Sequence, residues 1–325
     1  MDLPERGLII GKFLPMHKGH QYLIECAAAQ VQKLTVLVCS LQREPIPGEI
    51  RFQWVKSSFP NVRVLHVRDE NPQEPHENPN FWEIWKDTIF DNHPEKIDIL
   101  FTSESYGGPL AEALSCKHIA IDEKRQTFPI SGTQVRENPW QNWQFLPEMV
   151  RPYFVKTIVI YGSESTGKTT LAEKLARHFR TQWVPEFARE YLPTEGVDLD
   201  SLQEKHFVAI AHGQRRAVQE KIPQARRFLF CDTDVLTTKI YADHYLGYCP
   251  SKVLDLADAE SYDAYLVLNI DIPWIDDSLR DIPHEREKMH ALFLQELEMR
   301  KIPYHIISGD FTQRLETAIR LVEEI

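Results

Sequence analysis

Near the middle of the chain the apolar run Val155 to Tyr161 opens into Gly162-Ser163-Glu164-Ser165-Thr166-Gly167-Lys168-Thr169-Thr170. This stretch constrains the fold more than any other, because it matches the phosphate-cradling P-loop pattern at every defined position. Such a loop turns successive backbone N–H groups inward, and the helix after it adds the positive end of its dipole. Lys168 and the Thr169 hydroxyl then meet the outer phosphates of ATP and Mg²⁺, so Gly162 to Thr170 reads as an ATP-binding segment with Thr169 as a metal ligand. The β-branched strand before the loop and the amphipathic segment Leu171 to Phe179 after it supply the context the pattern requires.

With 325 residues, and about equal lengths on either side of the P-loop strand, two domains are expected. The helical spacing of Trp140, Trp143, Phe145, Leu146, Met149 and Val150 predicts a helix over Glu137 to Pro152. Its end at Arg151-Pro152 sets the boundary, giving domains 1–151 and 152–325. A strand is expected from Tyr153 to Tyr161.

The first half alternates strands (Leu8 to Ile10, Leu34 to Cys39, Val62 to Val67, Ile97 to Phe101, His118 to Ile121) with helical patterns such as Arg51 to Phe59. That alternation predicts an α/β, Rossmann-like domain with a largely parallel sheet and ligands at the carboxyl ends of its strands. The second half predicts a P-loop kinase domain, also with a largely parallel sheet. At the first strand's end, Gly11-Lys12-Phe13-Leu14-Pro15-Met16-His17-Lys18-Gly19-His20 leads into a helix, so the imidazoles of His17 and His20 and the helix-start N–H groups can face one anion together. Ile130-Ser131-Gly132-Thr133-Gln134-Val135-Arg136 adds two hydroxyls and a guanidinium at another helix start. Phe81-Trp82-Glu83-Ile84-Trp85 opens a helix whose tryptophans read as core rather than as a ligand platform.

In the second half, Phe228 to Asp234 is an apolar strand ending in two carboxylates, Asp232 and Asp234, suited to Mg²⁺ beside a P-loop hydroxyl. Either could instead cap the next helix. Asp276 to Arg286 combines turn residues with Arg280 and Arg286, the mixture a closing lid needs to neutralise a γ-phosphate and exclude water. Glu186, Arg189 and Glu190, at the end of the second strand of this half, form an acceptor pocket. Glu186 and Asp234 both qualify as general base, with Glu186 favoured for that duty and for substrate binding.

The GxFxPxHxGH and ISxTxxR patterns resemble the nucleotidyltransferase superfamily, and Glu44 to Trp54 together with Ser103 to Gly107 resemble its nicotinamide mononucleotide adenylyltransferase branch. The second half resembles ribosylnicotinamide kinase, and nearly the whole chain is similar to the bifunctional nicotinamide-nucleotide adenylyltransferase/ribosylnicotinamide kinase family. The resemblance implies that Gly11, Lys12, Phe13, Pro15, His17, His20, Arg51, Ser131, Thr133 and Arg136 hold ATP or NAD, with the two histidines on phosphate. It implies two reactions: nicotinamide riboside is phosphorylated by ATP, and nicotinamide mononucleotide is adenylylated to NAD and pyrophosphate. Some relatives carry a DNA-binding segment before the transferase domain; only seven residues precede the first strand here, so that segment is not expected.

A net charge of −11 argues against a broad nucleic-acid surface, so no nucleic-acid partner is expected. No segment approaches the length of a membrane span, and Met1 to Arg6 lacks the basic flank of a leader, which reads as a cytoplasmic protein. Cys26, Cys39, Cys116, Cys231 and Cys249 lack CxxC spacing and read as free thiols. Assembly as a homo-oligomer stays open, as do a non-catalytic ATP/NAD sensor and a kinase/adenylyltransferase acting on another nucleoside.

Overall fold

A computed structural model of the chain describes residues 4–273 and 285–325. It divides into two compact units, Met1–Tyr153 and Phe154–Ile325. In the first, the chain runs through β1 (Arg6–Gly11), α1 (Lys18–Ala28), β2 (Lys33–Cys39), α2 (Gly48–Ser58) and β3 (Arg63–Val67). It continues through α3 (Phe81–Asn92), β4 (Ile99–Thr102), α4 (Gly107–Ala113), β5 (Lys117–Ala120) and α5 (Gly132–Glu137). The strands are all parallel in the order β3-β2-β1-β4-β5. Leu8, Ile9 and Ile10 on the central strand are all buried, as a strand covered by helices on both faces requires. The strand order reverses at β1, so the crevice beyond the carboxyl ends of β1 and β4 is where a ligand fits.

The second unit holds β6 (Lys156–Tyr161), α6 (Lys168–Phe179), β7 (Gln182–Val184), α7 (Phe187–Glu195), α8 (Glu204–Lys221) and β8 (Phe228–Asp232). After these come α9 (Val235–Leu246), α10 (Ser251–Ala259), β9 (Ala264–Leu268), α11 (Arg286–Met299), β10 (His305–Ile307) and α12 (Phe311–Glu323). Its parallel sheet has the order β10-β9-β6-β8-β7. The period of two along β6 sends Val159 and Tyr161 into one apolar cluster, with Phe207, Val235 and Phe293. Ile158 and Ile160 enter the other, with Leu171, Leu175, Phe230 and Val322. Each such fully buried side chain contributes about 2 kcal/mol of apolar transfer energy. Both cores therefore fix a strand whose end carries a phosphate-binding loop.

The helix expected over Glu137 to Pro152 does not form. α5 stops at Glu137, and only a short 3₁₀ turn, Trp143–Phe145, follows within the stretch before Arg151. Pro139, Pro147 and Pro152 lack amide donors and disfavour helical geometry in the residues before them. Trp143, Leu146 and Val150 are nevertheless buried, so their spacing reported burial and not helix. β6 starts at Lys156 rather than Tyr153. Among the described residues no helix is long and apolar enough to cross a membrane, and all five cysteines are free.

Candidate active sites

In the first unit the loop between β1 and α1 carries the histidines. His17 is the extended residue before α1, and its N–H donates to His20 Nδ1 at 3.2 Å. Because that nitrogen accepts, the neutral His20 ring carries its proton on Nε2 and presents a donor. The two rings stack with centroids 3.8 Å apart, and Phe13, buried with φ +49, lies 4.9 Å from His20. Burial, then the positive charge of Arg125, lowers the His17 pKa to about 4. Burial, His17 and Arg125 together hold His20 well below its usual range. Both imidazoles are thus neutral donors at neutral pH, and an anion placed against them would favour their protonation.

The hydroxyl loop reaches the same place from the other end of the unit. Ser131 caps α5, accepting from the Gln134 N–H at 3.2 Å while Gln134 Oε1 accepts from the Ser131 N–H at 2.8 Å. Arg136 donates to Leu14 O and, at 3.1 Å, to Thr133 Oγ1, stitching α5 to the loop that holds Pro15 and His17. A Cβ at Gly132 would sit 2.5 Å from Leu14 O, so the close approach of the two loops needs a glycine there. Gly11, Lys12, Phe13, Pro15, His17 and His20 therefore run from the end of β1 into the first turn of α1, and Ser131, Thr133 and Arg136 lie at α5, which Arg136 ties to Leu14. Lys12 is half exposed, with Nζ 3.1 Å from Glu44.

Arg51 departs from expectation. It is fully buried and donates from Nε to Ile46 O, from one terminal nitrogen to Lys12 O and Cys39 O, and from the other to Glu44 at 2.6 Å. With four of its five N–H donors on backbone and carboxylate, it is an internal strut for the β1 and β2 ends, where the expectation was a group open to phosphate. Conversely, Arg125 was missed. It has φ +50 in a loop closed by the Asp122 carboxylate, which accepts from the backbone N–H groups of Gln126, Thr127 and Phe128. Its guanidinium donates to Glu104 at 2.8 Å, and nothing in the sequence before Ile130 marks its charge as one that the histidines sense.

In the second unit the P-loop takes left-handed backbone at Gly162 (φ +134), Ser165 (φ +56) and Gly167 (φ +86). A Cβ on Gly162 would lie 3.0 Å from Leu268 O, a second reason for glycine. Thr166 Oγ1 and Lys168 Nζ both donate to Ser163 O, at 2.8 and 2.9 Å. A loop whose N–H groups point inward has carbonyls pointing out, and these need donors. Arg314 of α12, almost wholly buried, donates to Thr166 O at 2.7 Å and also holds Gly309 O, Asn269 O and the Asp271 carboxylate. Arg286, at the start of α11, donates to Ser165 O at 3.2 Å and to Ile272 O at 2.8 Å. Arg286 thus holds the backbone of the loop at Ser165. Arg280 lies outside the described residues.

Asp232 and Asp234, adjacent in sequence pattern, have different fates. Asp232 ends β8 fully buried; its Oδ2 accepts from the Thr169 hydroxyl at 2.5 Å and its Oδ1 has no hydrogen-bond partner. Burial, then the charge of Glu186, pushes its pKa up to about 6. A hydroxyl and an unsatisfied carboxylate oxygen at the foot of a phosphate loop fit a hard divalent cation. Asp234 instead caps α9, accepting from Thr237 N–H and Oγ1 on one oxygen and from the Tyr265 hydroxyl on the other at 2.8 Å. Both of its oxygens are engaged by Thr237 and Tyr265, the arrangement of a helix cap, whereas the expected metal and base roles need an oxygen that is free.

Glu186 is the residue before α7, and Arg189 Nε donates to it at 2.9 Å. Glu186 and Arg189 line a pocket with Glu164 and Lys168, walled by Leu192, Phe207, Ile210, Tyr241 and Tyr245. Both also line a recess with Thr169, Glu190 and Asp232. Burial lowers the Lys168 pKa, against the opposing pull of Glu186, Asp232 and Glu164. Phe207, Gln214 and Tyr241 were not singled out from sequence, because on α8 and α9 their spacing is that of ordinary core.

A family model described as cytidylyltransferase-like matches residues 8–138, and one described as an AAA domain matches residues 157–314. The chain is 32% identical to the trifunctional NAD biosynthesis/regulator protein NadR of Escherichia coli (strain K12), over 98% of this chain and 83% of that relative. Its fold is that of a crystallised NadR protein in complex with NR, with a TM-score of 0.82 and 24% identity over 99% of this chain and 97% of the other. A NadR protein in complex with NAD and AMP-PNP is similar at 26% identity, with a TM-score of 0.81 over 100% and 97% of the two chains.

Proposed function

The chain belongs to the NadR family of NAD-biosynthesis proteins, and from that premise we propose that its two units carry out consecutive steps of NAD salvage, the second unit acting first. The protein is a ribosylnicotinamide kinase and a nicotinamide-nucleotide adenylyltransferase. In the second unit the riboside lies in the pocket walled by Phe207, Tyr241 and Tyr245. A ribose hydroxyl attacks the γ-phosphorus of ATP, its proton passes to Glu186, and ADP leaves on the bridging oxygen. Lys168 and the inward N–H groups hold the donor phosphates. Both reactions use a divalent metal, which we take to be Mg²⁺; in the second unit Thr169 and Asp232 would hold it, and it would supply neutralisation of charge on the outer phosphates. The observation that carries this reading is that Glu186 borders both the pocket containing Lys168 and the recess containing Thr169 and Asp232.

In the first unit a phosphate oxygen of nicotinamide mononucleotide attacks the α-phosphorus of ATP and pyrophosphate departs. No protein nucleophile is required; His17, His20, Lys12, Thr133 and Arg136 align two anions and stabilise charge at the transferring phosphorus. Burial of the imidazoles strengthens their hydrogen bonds to that charge by removing competing water. We place both reactions in the cytoplasm, where ATP is available.

The test is incubation of the full chain with Mg-ATP and nicotinamide riboside, followed by chromatography. Mononucleotide, NAD, ADP and pyrophosphate are expected, and supplying mononucleotide in place of riboside should give NAD and pyrophosphate without ADP. Absence of NAD in both incubations overturns the reading.

A further inference from the structure

Glu186 stands just before α7, so what fixes the start of α7 also fixes the carboxylate assigned to the riboside hydroxyl. Two neighbouring residues of α8 do this. Gly213 lies inside an 18-residue helix, where glycine is a poor choice on propensity alone. A Cβ there would fall 2.1 Å from Cε1, 2.3 Å from Cδ1 and 2.4 Å from Cζ of Phe187, so the aromatic ring occupies the space of the missing side chain. Gln214, 1% exposed, accepts the Phe187 N–H on Oε1 at 2.8 Å. From Nε2 it donates to Asp232 O and Thr233 O, each at 3.4 Å. One buried amide thus links the backbone beside Glu186 to the backbone of Asp232.

We propose that Gly213 and Gln214 are positioning residues for the phosphate acceptor: together they set the separation of Glu186 from Asp232, and hence of the proton acceptor from the metal carboxylate. This rests on the reading that the second unit phosphorylates a riboside at Glu186. Gly213 packs on Phe187, whereas Gln214 also holds the backbone of Asp232, whose carboxylate accepts from Thr169, so it is the Gly213 replacement that should act first on the acceptor side. Displacing a reacting group by a fraction of an ångström is enough to slow chemistry by an order of magnitude or more.

The test is steady-state kinetics of riboside phosphorylation by the full chain carrying Gly213→Ala, Gly213→Ala with Phe187→Leu, or Gln214→Leu. Gly213→Ala should lower kcat/KM for the riboside by roughly tenfold or more while the KM for ATP moves less than about twofold. Phe187→Leu, by removing the ring atoms Cε1 and Cζ that lie against the new Cβ, should restore part of that loss. Gln214→Leu should lower kcat in the same direction, with the Phe187 amide losing protection in hydrogen exchange. Wild-type parameters in Gly213→Ala overturn the inference. So does a loss shared equally by ATP and riboside, which is what general destabilisation of the unit would give. If the wild-type chain makes no mononucleotide at all, the functional reading falls and this inference with it; wild-type turnover with an unaffected Gly213→Ala removes the inference alone.

Discussion

The two phosphate cradles of this chain face the same problem and meet it with opposite materials. In the second unit the donors are mainly backbone N–H groups, so the loop must be held in left-handed conformations, and its outward carbonyls are capped by Arg286 and Arg314. In the first unit the donors are side chains at a helix start: two stacked neutral imidazoles oriented by their own backbone, with Arg136 binding one loop to the other. A backbone cradle is insensitive to most single side chains but depends on the groups that shape it. A side-chain cradle loses function one residue at a time. Arginines serve both by binding protein oxygen: Arg51, Arg286 and Arg314 each hold backbone carbonyls at or beside a cradle.

The largest expected effect separates the two cradles. Lys168→Ala removes the one side-chain cation of the P-loop, and riboside phosphorylation should fall by about a thousandfold, while adenylylation of mononucleotide is unchanged. His20→Ala should reverse the pattern, with about a hundredfold loss of adenylylation and no change in the kinase step. Separate assays with riboside and with mononucleotide measure both. If either substitution abolished both activities in a folded chain, the model of two independent cradles would be wrong.

Next in size is the contrast within Asp232 and Asp234. Asp232→Asn keeps shape and relieves a buried charge, so phosphorylation should drop by about a hundredfold with stability held or raised. Asp234→Ala removes a helix cap and leaves the Tyr265 hydroxyl without its acceptor, so the second unit should lose about 2 to 4 kcal/mol in urea unfolding, with kcat per folded molecule kept. Equal kinetic losses in the two variants would return Asp234 to the active site.

That pair also marks the limit of what the sequence makes legible. The parallel sheets, the P-loop and the histidine loop follow from periodicity and glycine placement, because those are local signals. The choice between two carboxylates at a strand end is not local; it depends on whether Tyr265, 31 residues away, donates to one of them. Arg314 lies 148 residues from the carbonyl it caps, and no pattern near the P-loop points to it. Gly213 and Gly132 look like ordinary glycines until the ring of Phe187 and the carbonyl of Leu14 are seen against them. Apolar spacing over Glu137 to Pro152 was misleading for the opposite reason: burial has the same signature in a helix and in a wrapped loop, and prolines decide between them.

The smallest expected effect tests whether the cradles also differ in how protons couple to their stability. In the first unit the pKa of His17 falls from 6.5 to about 4 on folding, and Glu44, Asp98 and Asp122 are held below the usual carboxylate range. Desolvation drives His17 down; accepted hydrogen bonds outweigh desolvation at Asp122, hydrogen bonds together with Arg51 and Lys12 outweigh it at Glu44, and bonds from Lys96 and the Arg6 N–H do so at Asp98. Between about pH 6.5 and 4 the unfolded state then binds more protons than the folded one, so this unit loses stability as pH falls. In the second unit burial raises Asp232 from 3.8 to about 6 and Glu260 from 4.5 to about 7, and raises Asp234 in the same direction. There the folded carboxyls take up protons first, from about pH 7 downward, and their contribution raises stability as pH falls through that window, against the opposing contribution of His206 and His290, which burial holds below the usual imidazole range. Urea unfolding from about pH 7 to about pH 5, followed by hydrogen exchange of peptides from each unit, should therefore show the two midpoints moving in opposite directions. Midpoints that move down together would mean that the buried carboxyls of the second unit ionise in both states alike.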